Sequence, residues 1–559
     1  MLTKHFDHWP TRVSTSLTVP ETTLFDNLAV TAKRYPGKKA ITYYGASLTY
    51  AQLLEEVNQL AGFLQEKLAV NKGERVMLYM QNSPQFVIGY YAILRANAIV
   101  VPINPMTTME EMRFYVNDCE IRNALVSQEL YSKIEPLLTT TSLEQLVVAA
   151  YSDYLESSNL ERIPDEVKQP RMVITKENHY LWKEAVSANY SPKPDEGLAD
   201  DLAVMPYTSG TTGLPKGCMH THRTVQANTY GGYHWHNATS DANCLATLPL
   251  FHVTGMVHSM HIPILSGATI VMMTRWDREY ARQIIAESGI THWVNISTML
   301  IDFLANPLLQ KEHLSTLMSI SGGGAPLPAA VGEKLFNFTG LRFVEGYGLT
   351  ETIAQTHFNP PDRPKLQCLG VPSFDVDARI IDPNTGHQLG LGQEGEIVVN
   401  GPQVFVGYYN RDEDNQQSFI EIEGKQFFRT GDIGRYDDEG YFFIVDRVKR
   451  MINASGYKVW PTEVESLLYK HPAVLQACVV GVPDVRRGET VKAFIILSGE
   501  HIEKTSAEEI IEWSKEQMAA YKYPRQIEFR ESFPTTMSGK ILWRKLQEEE
   551  RQKASEVSK

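Results

Sequence analysis

Residues 207–217 read Tyr-Thr-Ser-Gly-Thr-Thr-Gly-Leu-Pro-Lys-Gly. Three glycines (Gly210, Gly213, Gly217) and four hydroxyl side chains (Thr208, Ser209, Thr211, Thr212) surround one cation, Lys216. That combination can wrap a phosphate chain. Glycine lets backbone N–H groups come close, hydroxyls donate to phosphate oxygens, and the lysine supplies charge. The run is not the NTPase P-loop, which needs Gly-Lys-Ser/Thr after Gly and four residues. Counting from Gly210, Pro215 stands where that second glycine belongs, and Gly217 follows the lysine.

Six further strings follow in order between residues 249 and 540: Pro249-Leu250-Phe251-His252-Val253, Gly322-Gly323-Gly324-Ala325-Pro326, Glu345-Gly346-Tyr347-Gly348-Leu349-Thr350-Glu351, Arg429-Thr430-Gly431-Asp432, Asp446-Arg447-Val448-Lys449 and Pro534-Thr535-Thr536-Met537-Ser538-Gly539-Lys540. With the phosphate loop, this series resembles the signatures of the adenylate-forming superfamily, which includes acyl-CoA synthetases, luciferases and peptide-synthetase adenylation domains. The resemblance runs from about Phe25 to about Arg544.

The chemistry it implies is the activation of a carboxylate. A carboxylate does not acylate a thiol unaided, because its leaving group would be oxide or hydroxide. Joined to AMP it acquires a good one. The enzyme must bring two anions together and stabilise a negative transition state at the α-phosphorus, which calls for fixed donors, Mg²⁺ and a lysine. By resemblance, Thr208, Ser209, Gly210, Thr211, Thr212, Gly213 and Lys216 cradle the β- and γ-phosphates. Thr350 holds the α-phosphate, and Glu351 ligates Mg²⁺ with help from Thr208. Gly323, Ala325 and Pro326 line the adenine, with Tyr347 and Gly348 opposite. Asp432 and Arg447 meet the ribose. His252 orients or gates the acyl group, and is not a general base, since the acid is already ionised at neutral pH. Lys540 bridges carboxylate and α-phosphate. Rotation about Lys449 then withdraws Lys540 and brings the loop around Gly456 to the CoA tunnel. The small molecules expected are ATP, Mg²⁺, CoA and a carboxylic acid.

The elements that must hold these groups alternate between strand and helix. Thr49 and Gln52 form a capping-box pattern before apolar Leu53, Leu54, Val57, Leu60, Ala61 and Leu64 at helical spacing. A strand over Val76–Met80, a helix over Pro84–Leu94 and a strand over Ala98–Pro102 make a β-α-β unit, hence mostly parallel sheets covered by helices. From about 375 to 446 the pattern shifts to short strands and turns, a barrel-like subdomain. The reading is an α/β N-terminal domain over 1–446, a hinge, and a small mobile α+β lid over 447–559. In the lid, a helix opens at Pro461 and stops at His471-Pro472. Strands over Leu475–Gly481 and Lys492–Leu497 and a helix over Ala507–Ala519 follow, and the charged tail from Gln547 frays.

Bulk properties narrow the function class. With 43% hydrophobic and 21% charged residues the chain is globular, and a net charge of −13 argues against a general nucleic-acid binder. Five scattered cysteines without a CxxC fit a reduced, cytoplasmic setting. No secretion signal is read, and Phe86–Ile103, broken by Arg95 and Asn97, reads as a buried helix entering a strand and not a transmembrane segment. Peripheral membrane contact and a homodimer are left open. The pairs His220/His222, His234/His236 and His258/His261 lack zinc-ligand companions.

The acyl pocket implied by the resemblance uses Val225–Trp235, the stretch after His252, Gly322–Ala325 and the residues after Glu351. From Ala242 to Trp276 there is no Asp or Glu to meet a substrate ammonium, and Gly255, Met256, Val257 and Met260 suit an alkyl chain. Each methylene buried there contributes about 0.8 kcal/mol. Met256 stands where some long-chain synthetases carry a gating Trp. The expectation is a medium- to long-chain fatty-acid–CoA ligase, the alternatives being an aryl or cyclic-acid ligase or a stand-alone enzyme loading a carrier protein.

Overall fold

The structure is a computed structural model. It describes the chain except residues 1–2, 12, 157–161, 209–214, 448–449, 451, 455–456, 485–487, 503, 536–540 and 558–559, and gives the backbone alone at 446–447, 453, 457–458, 488, 500 and 554–557. The chain divides into two compact units, Thr3–Asp377 with Asn400–Gln426 and Ala378–Val399 with Phe427–Lys559.

In the larger unit the capping box forms as its spacing predicts. Thr49 Oγ1 accepts from the Gln52 N–H, and Gln52 Oε1 accepts from the Thr49 N–H at 2.9 Å. The helix it opens, Tyr50–Glu66, buries Leu53, Val57, Leu60, Ala61 and Leu64. The β-α-β unit is strand Arg75–Tyr79, helix Pro84–Arg95 and strand Ile99–Pro102, each within a residue or two of expectation. Ser83 caps that helix and Pro84 starts it. Every side chain from Pro84 to Leu94 is buried, which explains a hydrophobic run too short and too interrupted for a membrane. Among the described residues no helix is long and apolar enough to cross one.

Among the described residues the larger unit holds two nine-stranded sheets, and both strands of the β-α-β unit lie in one of them. In one, parallel strands Asn123–Ser127, Arg75–Tyr79 and Ile99–Pro102 lead through Leu202–Val204 to the antiparallel strand Lys216–Thr221. In the other, His292–Asn295, Ser319–Gly323 and Val344–Leu349 run parallel, and Ala354–Phe358 returns antiparallel. One apolar cluster includes Val57, Ile88, Val225 and Met256 from helices together with Val76 and Ile270 from the two sheets, so helices fill the space between them.

The smaller unit is built mainly from antiparallel strands, with Gln526–Phe529 running parallel to Gly488–Leu497. Gly395–Asn400 pairs with Lys425–Tyr436, which pairs with Phe442–Arg447. In packing, the β-rich residues Ala378–Val399 therefore go with the C-terminal part of the chain. Beyond them, helix Pro461–Leu468 ends before His471-Pro472, and it and helix Ala507–Gln517 pack against a second sheet that contains strands Val474–Asp484 and Gly488–Leu497. The hairpin Val474–Asp484 with Gly488–Leu497 is longer than its apolar runs suggested, because Pro483, Asp484, Gly488 and Glu489 continue the ladder despite being turn-forming or charged types. The charged tail does not fray at Gln547. Helix Trp543–Val557 is held by Lys492, whose ammonium meets Glu550 at 2.8 Å with both side chains 9% exposed.

Candidate active site

The phosphate loop has a built neck. Thr208 pairs with Lys216 and Tyr207 with Gly217 across antiparallel strands. Ser209, Gly210, Thr211, Thr212 and Gly213 lie outside the described residues. The neck is anchored by contacts invisible in the linear pattern. The Tyr207 hydroxyl donates to Asp118 Oδ2 at 2.6 Å, and Arg411 donates to the other Asp118 oxygen at 2.6 Å. A Cβ at Gly217 would meet Met205 Sδ at 2.8 Å, so the close approach of that strand depends on glycine. Lys216 is 7% exposed at its side chain. Its ammonium pairs with Asp414 and sits 5.1 Å from the centre of the Tyr408 ring.

Thr350 and Glu351 occupy a tight turn, Thr350–Thr352, at the end of strand Val344–Leu349. The next two residues have φ of 44° (Ile353) and 88° (Ala354), left-handed conformations that cost a side-chain-bearing residue about 1–3 kcal/mol. Surrounding bonds over-determine the turn. His220 Nε2 donates to the Thr350 carbonyl at 2.8 Å, Asn228 Nδ2 donates to the carbonyls of Thr352 and Ile353, and the Phe405 N–H donates to the Glu351 carbonyl. Burial lowers His220 to about 4, so its imidazole is neutral, and the carbonyl partner requires the proton on Nε2. Glu351 is 8% exposed, and its Oε1 accepts from the Tyr408 hydroxyl at 2.8 Å.

The proposed adenine segment follows strand Ser319–Gly323. Gly324 turns at φ +84°, and Gly324, Ala325 and Pro326 are exposed to an incoming ligand. Ser297 Oγ donates to the Ala325 carbonyl at 2.9 Å. Gly323 pairs with Gly346, and a Cβ at Gly323 would meet the Gly346 carbonyl at 2.5 Å, so this segment and Tyr347 stand side by side at the carboxyl ends of neighbouring parallel strands. Tyr347 is half-buried beside the His357 ring and Gly348 is exposed.

Glu345, in the sequence only the first residue of its string, braces this segment. It is 5% exposed, and its Oε1 accepts from the N–H groups of Leu327 and Gln367. Burial raises its carboxyl from 4.5 to about 7, against those two donors. The folded state thus holds this proton more tightly than the unfolded chain. Its stabilising contribution is complete below about pH 4.5 and is lost as the pH rises through about 7, a change of about 3 kcal/mol. Denaturant unfolding from pH 5 to 8.5 should show this decline in the wild type and a flatter profile in Glu345→Gln. Parallel profiles would exclude Glu345 as its source.

His252 is exposed. Its Nδ1 accepts from the Thr254 N–H at the start of the short helix Val253–Gly255. A π-helical stretch, Met256–His261, follows, a form that the sequence did not announce and that often marks functional sites. Met256, Val257 and Met260 are fully buried.

Of the paired histidines, His220, His222, His258 and His261 are internal posts. His222 Nδ1 accepts from the Leu24 N–H, His258 Nε2 bonds Gln355, and His261 Nδ1 bonds the Tyr91 hydroxyl. Burial holds them at about 4, about 4 and about 3. Among the described residues no group of three or more His, Cys, Asp or Glu could hold a metal. A single buried carboxylate, Glu351, with Thr208 at the loop neck, fits Mg²⁺, which takes one or two carboxylates and completes its shell from substrate phosphates and water.

Asp432 and Arg447 lie in the smaller unit and face each other across the ladder between Lys425–Tyr436 and Phe442–Arg447. Asp432 is 1% exposed, and Glu396 organises its string by accepting from Arg429 and the Gly431 N–H. Gly456 and Lys540 lie outside the described residues.

A mostly parallel α/β scaffold, an antiparallel neck at the glycine-rich run and a carboxylate turn at a strand end fit a nucleotide-dependent enzyme. The chain belongs to the AMP-binding enzyme family, whose profile matches residues 28–409, with the AMP-binding enzyme C-terminal domain matching 463–540. It is 36% identical over 552 residues to a long-chain-fatty-acid–CoA ligase of Bacillus subtilis, covering 97% of both chains. It is 32% identical over 519 residues to a feruloyl-CoA synthase of Amycolatopsis, covering 91% of this chain and 96% of the relative. Among solved structures, ATP-bound MatB from Rhodopseudomonas palustris superposes with a TM-score of 0.83 at 26% identity, covering 95% of this chain and 99% of the other.

Proposed function

We propose that the protein is an AMP-forming fatty-acid–CoA ligase. It joins a medium- to long-chain fatty acid to AMP with release of pyrophosphate, then passes the acyl group to CoA. The observation that carries this reading is a buried Lys216 at the phosphate-loop neck and a buried Glu351 in a strained, over-determined turn, both beside Tyr408, in a chain similar along nearly its full length to a fatty-acid ligase.

In the first half-reaction a carboxylate oxygen of the acid attacks the α-phosphorus and the bond to pyrophosphate breaks. Lys216 and the loop N–H groups hold the departing phosphates, Thr350 holds the α-phosphate and Glu351 fixes the metal position. Mg²⁺, when bound, offsets phosphate charge. Lys540 contributes charge in this step alone. In the second, the CoA sulfur attacks the acyl carbon, AMP leaves and the thiol proton passes to solvent. The ribose roles of Asp432 and Arg447, the adenine roles of Gly323, Ala325, Pro326, Tyr347 and Gly348, the acyl role of His252, and the lid rotation about Lys449 that presents Gly456 are parts of the same proposal. A cytoplasmic site of action fits five buried, scattered cysteines.

Pyrophosphate release against a panel of acids, with and without CoA, tests the reading. Release with C10–C18 acids and CoA-dependent turnover are expected. The similarity to a feruloyl-CoA synthase favours one second reading, an aryl-acid ligase, which preferential turnover of hydroxycinnamates would establish. Glu351→Gln should raise the Mg²⁺ concentration needed for half-maximal rate by at least about tenfold, since a neutral amide is a poor ligand for a hard cation. An unchanged Mg²⁺ titration would remove Glu351 from the metal site.

A further inference from the structure

Buried charges are stable only when matched. Lys216 and Glu351 are both buried, and one side chain touches both. The Tyr408 hydroxyl donates to Glu351 Oε1 at 2.8 Å, and its ring face lies 5.1 Å from the Lys216 ammonium. Tyr408 is itself held firmly. It pairs with Cys218 in the strand that begins at Lys216. Its N–H donates to Asn415 Oδ1 at 2.6 Å, and Asn415 Nδ2 donates back to its carbonyl at 2.9 Å. Asp414, one residue before Asn415, supplies the remaining counter-charge to Lys216 and is a quarter exposed.

Resting on the ATP-site reading above, the geometry points to Tyr408 as the positioning residue for both charged groups, and to Asp414 as the counter-ion that Lys216 exchanges for the ATP phosphates. The phenol fixes the Glu351 carboxylate through Oε1, as the outer partners of metal-binding carboxylates do. The ring supports the ammonium by a cation–π contact whichever anion it faces. Asp414, partly open to water, costs little to release and competes with the triphosphate until ATP arrives.

The test is equilibrium binding of ATP to the full chain without acid, by titration calorimetry at varied Mg²⁺. In Tyr408→Phe the ring stays and the hydroxyl goes. The Mg²⁺ needed for half-maximal ATP binding should rise by about tenfold, while the Kd for ATP at saturating Mg²⁺ stays within about twofold. Tyr408→Leu removes both contacts and should also weaken ATP at saturating Mg²⁺ by about fivefold. Asp414→Asn should tighten ATP by about threefold, because a partly exposed competing anion is gone. A purely structural role would lower the melting temperature without separating Mg²⁺ dependence from ATP affinity. A folded Tyr408→Phe with wild-type Mg²⁺ dependence overturns the positioning role, and an Asp414→Asn protein that binds ATP no more tightly overturns the exchange. If Tyr408→Leu does not fold, the other two variants, each altering one side-chain group, decide. Absence of ATP binding by the wild type would overturn the parent reading and this one with it.

Discussion

Lys540→Ala should abolish acyl-adenylate formation while leaving thioester formation from supplied acyl adenylate largely intact. Lys540 closes the string Pro534–Lys540, and although the lysine lies outside the described residues, the base of its loop is tied. Thr535 bridges to Ile541, and the Leu542 N–H donates to the Pro534 carbonyl at 2.8 Å. The proposed mechanism gives Lys540 the first half-reaction alone. Its charge is needed where two anions meet at the α-phosphorus and not where a thiol attacks an acyl carbon. Removing such a contact costs several kcal/mol, at least ~10² in rate. Single-turnover pyrophosphate release and acyl-CoA formation from synthetic adenylate, measured on the same preparation, separate the two steps. Equal loss in both would sink the division of labour.

What the sequence displayed and what it hid differ by range. The capping box at Thr49 and Gln52, the helix start at Ser83-Pro84 and the phosphate-loop run are local, since each is written in residues within one turn of each other. The supports of the same site are not. Tyr408 reaches Glu351 across 57 positions, Asp414 reaches Lys216 across 198 and Arg411 reaches Asp118 across 293. No periodicity or spacing rule connects such pairs, which meet only because strand Gly407–Tyr408 is laid against Lys216–Thr221. His220 shows the same limit. Beside His222 it invites a metal reading, yet its Nε2 proton fixes the Thr350 turn. The hairpin Val474–Asp484 with Gly488–Leu497 and the docked helix Trp543–Val557 were underestimated because proline, glycine and charged residues carry weak local signals, and the ladder and the Lys492–Glu550 pair decide instead.

Gly348→Ala should damage fold and site together, and by more than any surface glycine. Gly348 pairs with Gln355 beside an irregularity in the ladder between Val344–Leu349 and Ala354–Phe358. An added Cβ would stand 1.6 Å from the Ala354 carbonyl oxygen and 2.7 Å from Gln355 Cα, both backbone atoms that no rotamer change can move. Relief requires shifting Ala354, already at φ 88°, and with it the turn that presents Thr350 and Glu351. Overpacking against backbone in a sheet should cost about 3 kcal/mol or more. Gly324→Ala is the fair comparison, since that glycine has positive φ but nothing within 4 Å of its Cβ position, and should cost about 1 kcal/mol. Denaturant midpoints for the two variants, with ATP binding followed at low denaturant, test both halves. Gly348→Ala should lose ATP affinity even where it remains folded, because Tyr347 on one side and Glu351 on the other move with the strand. A Gly348→Ala protein as stable as Gly324→Ala and binding ATP normally would show that strands Val344–Leu349 and Ala354–Phe358 can part without disturbing the site.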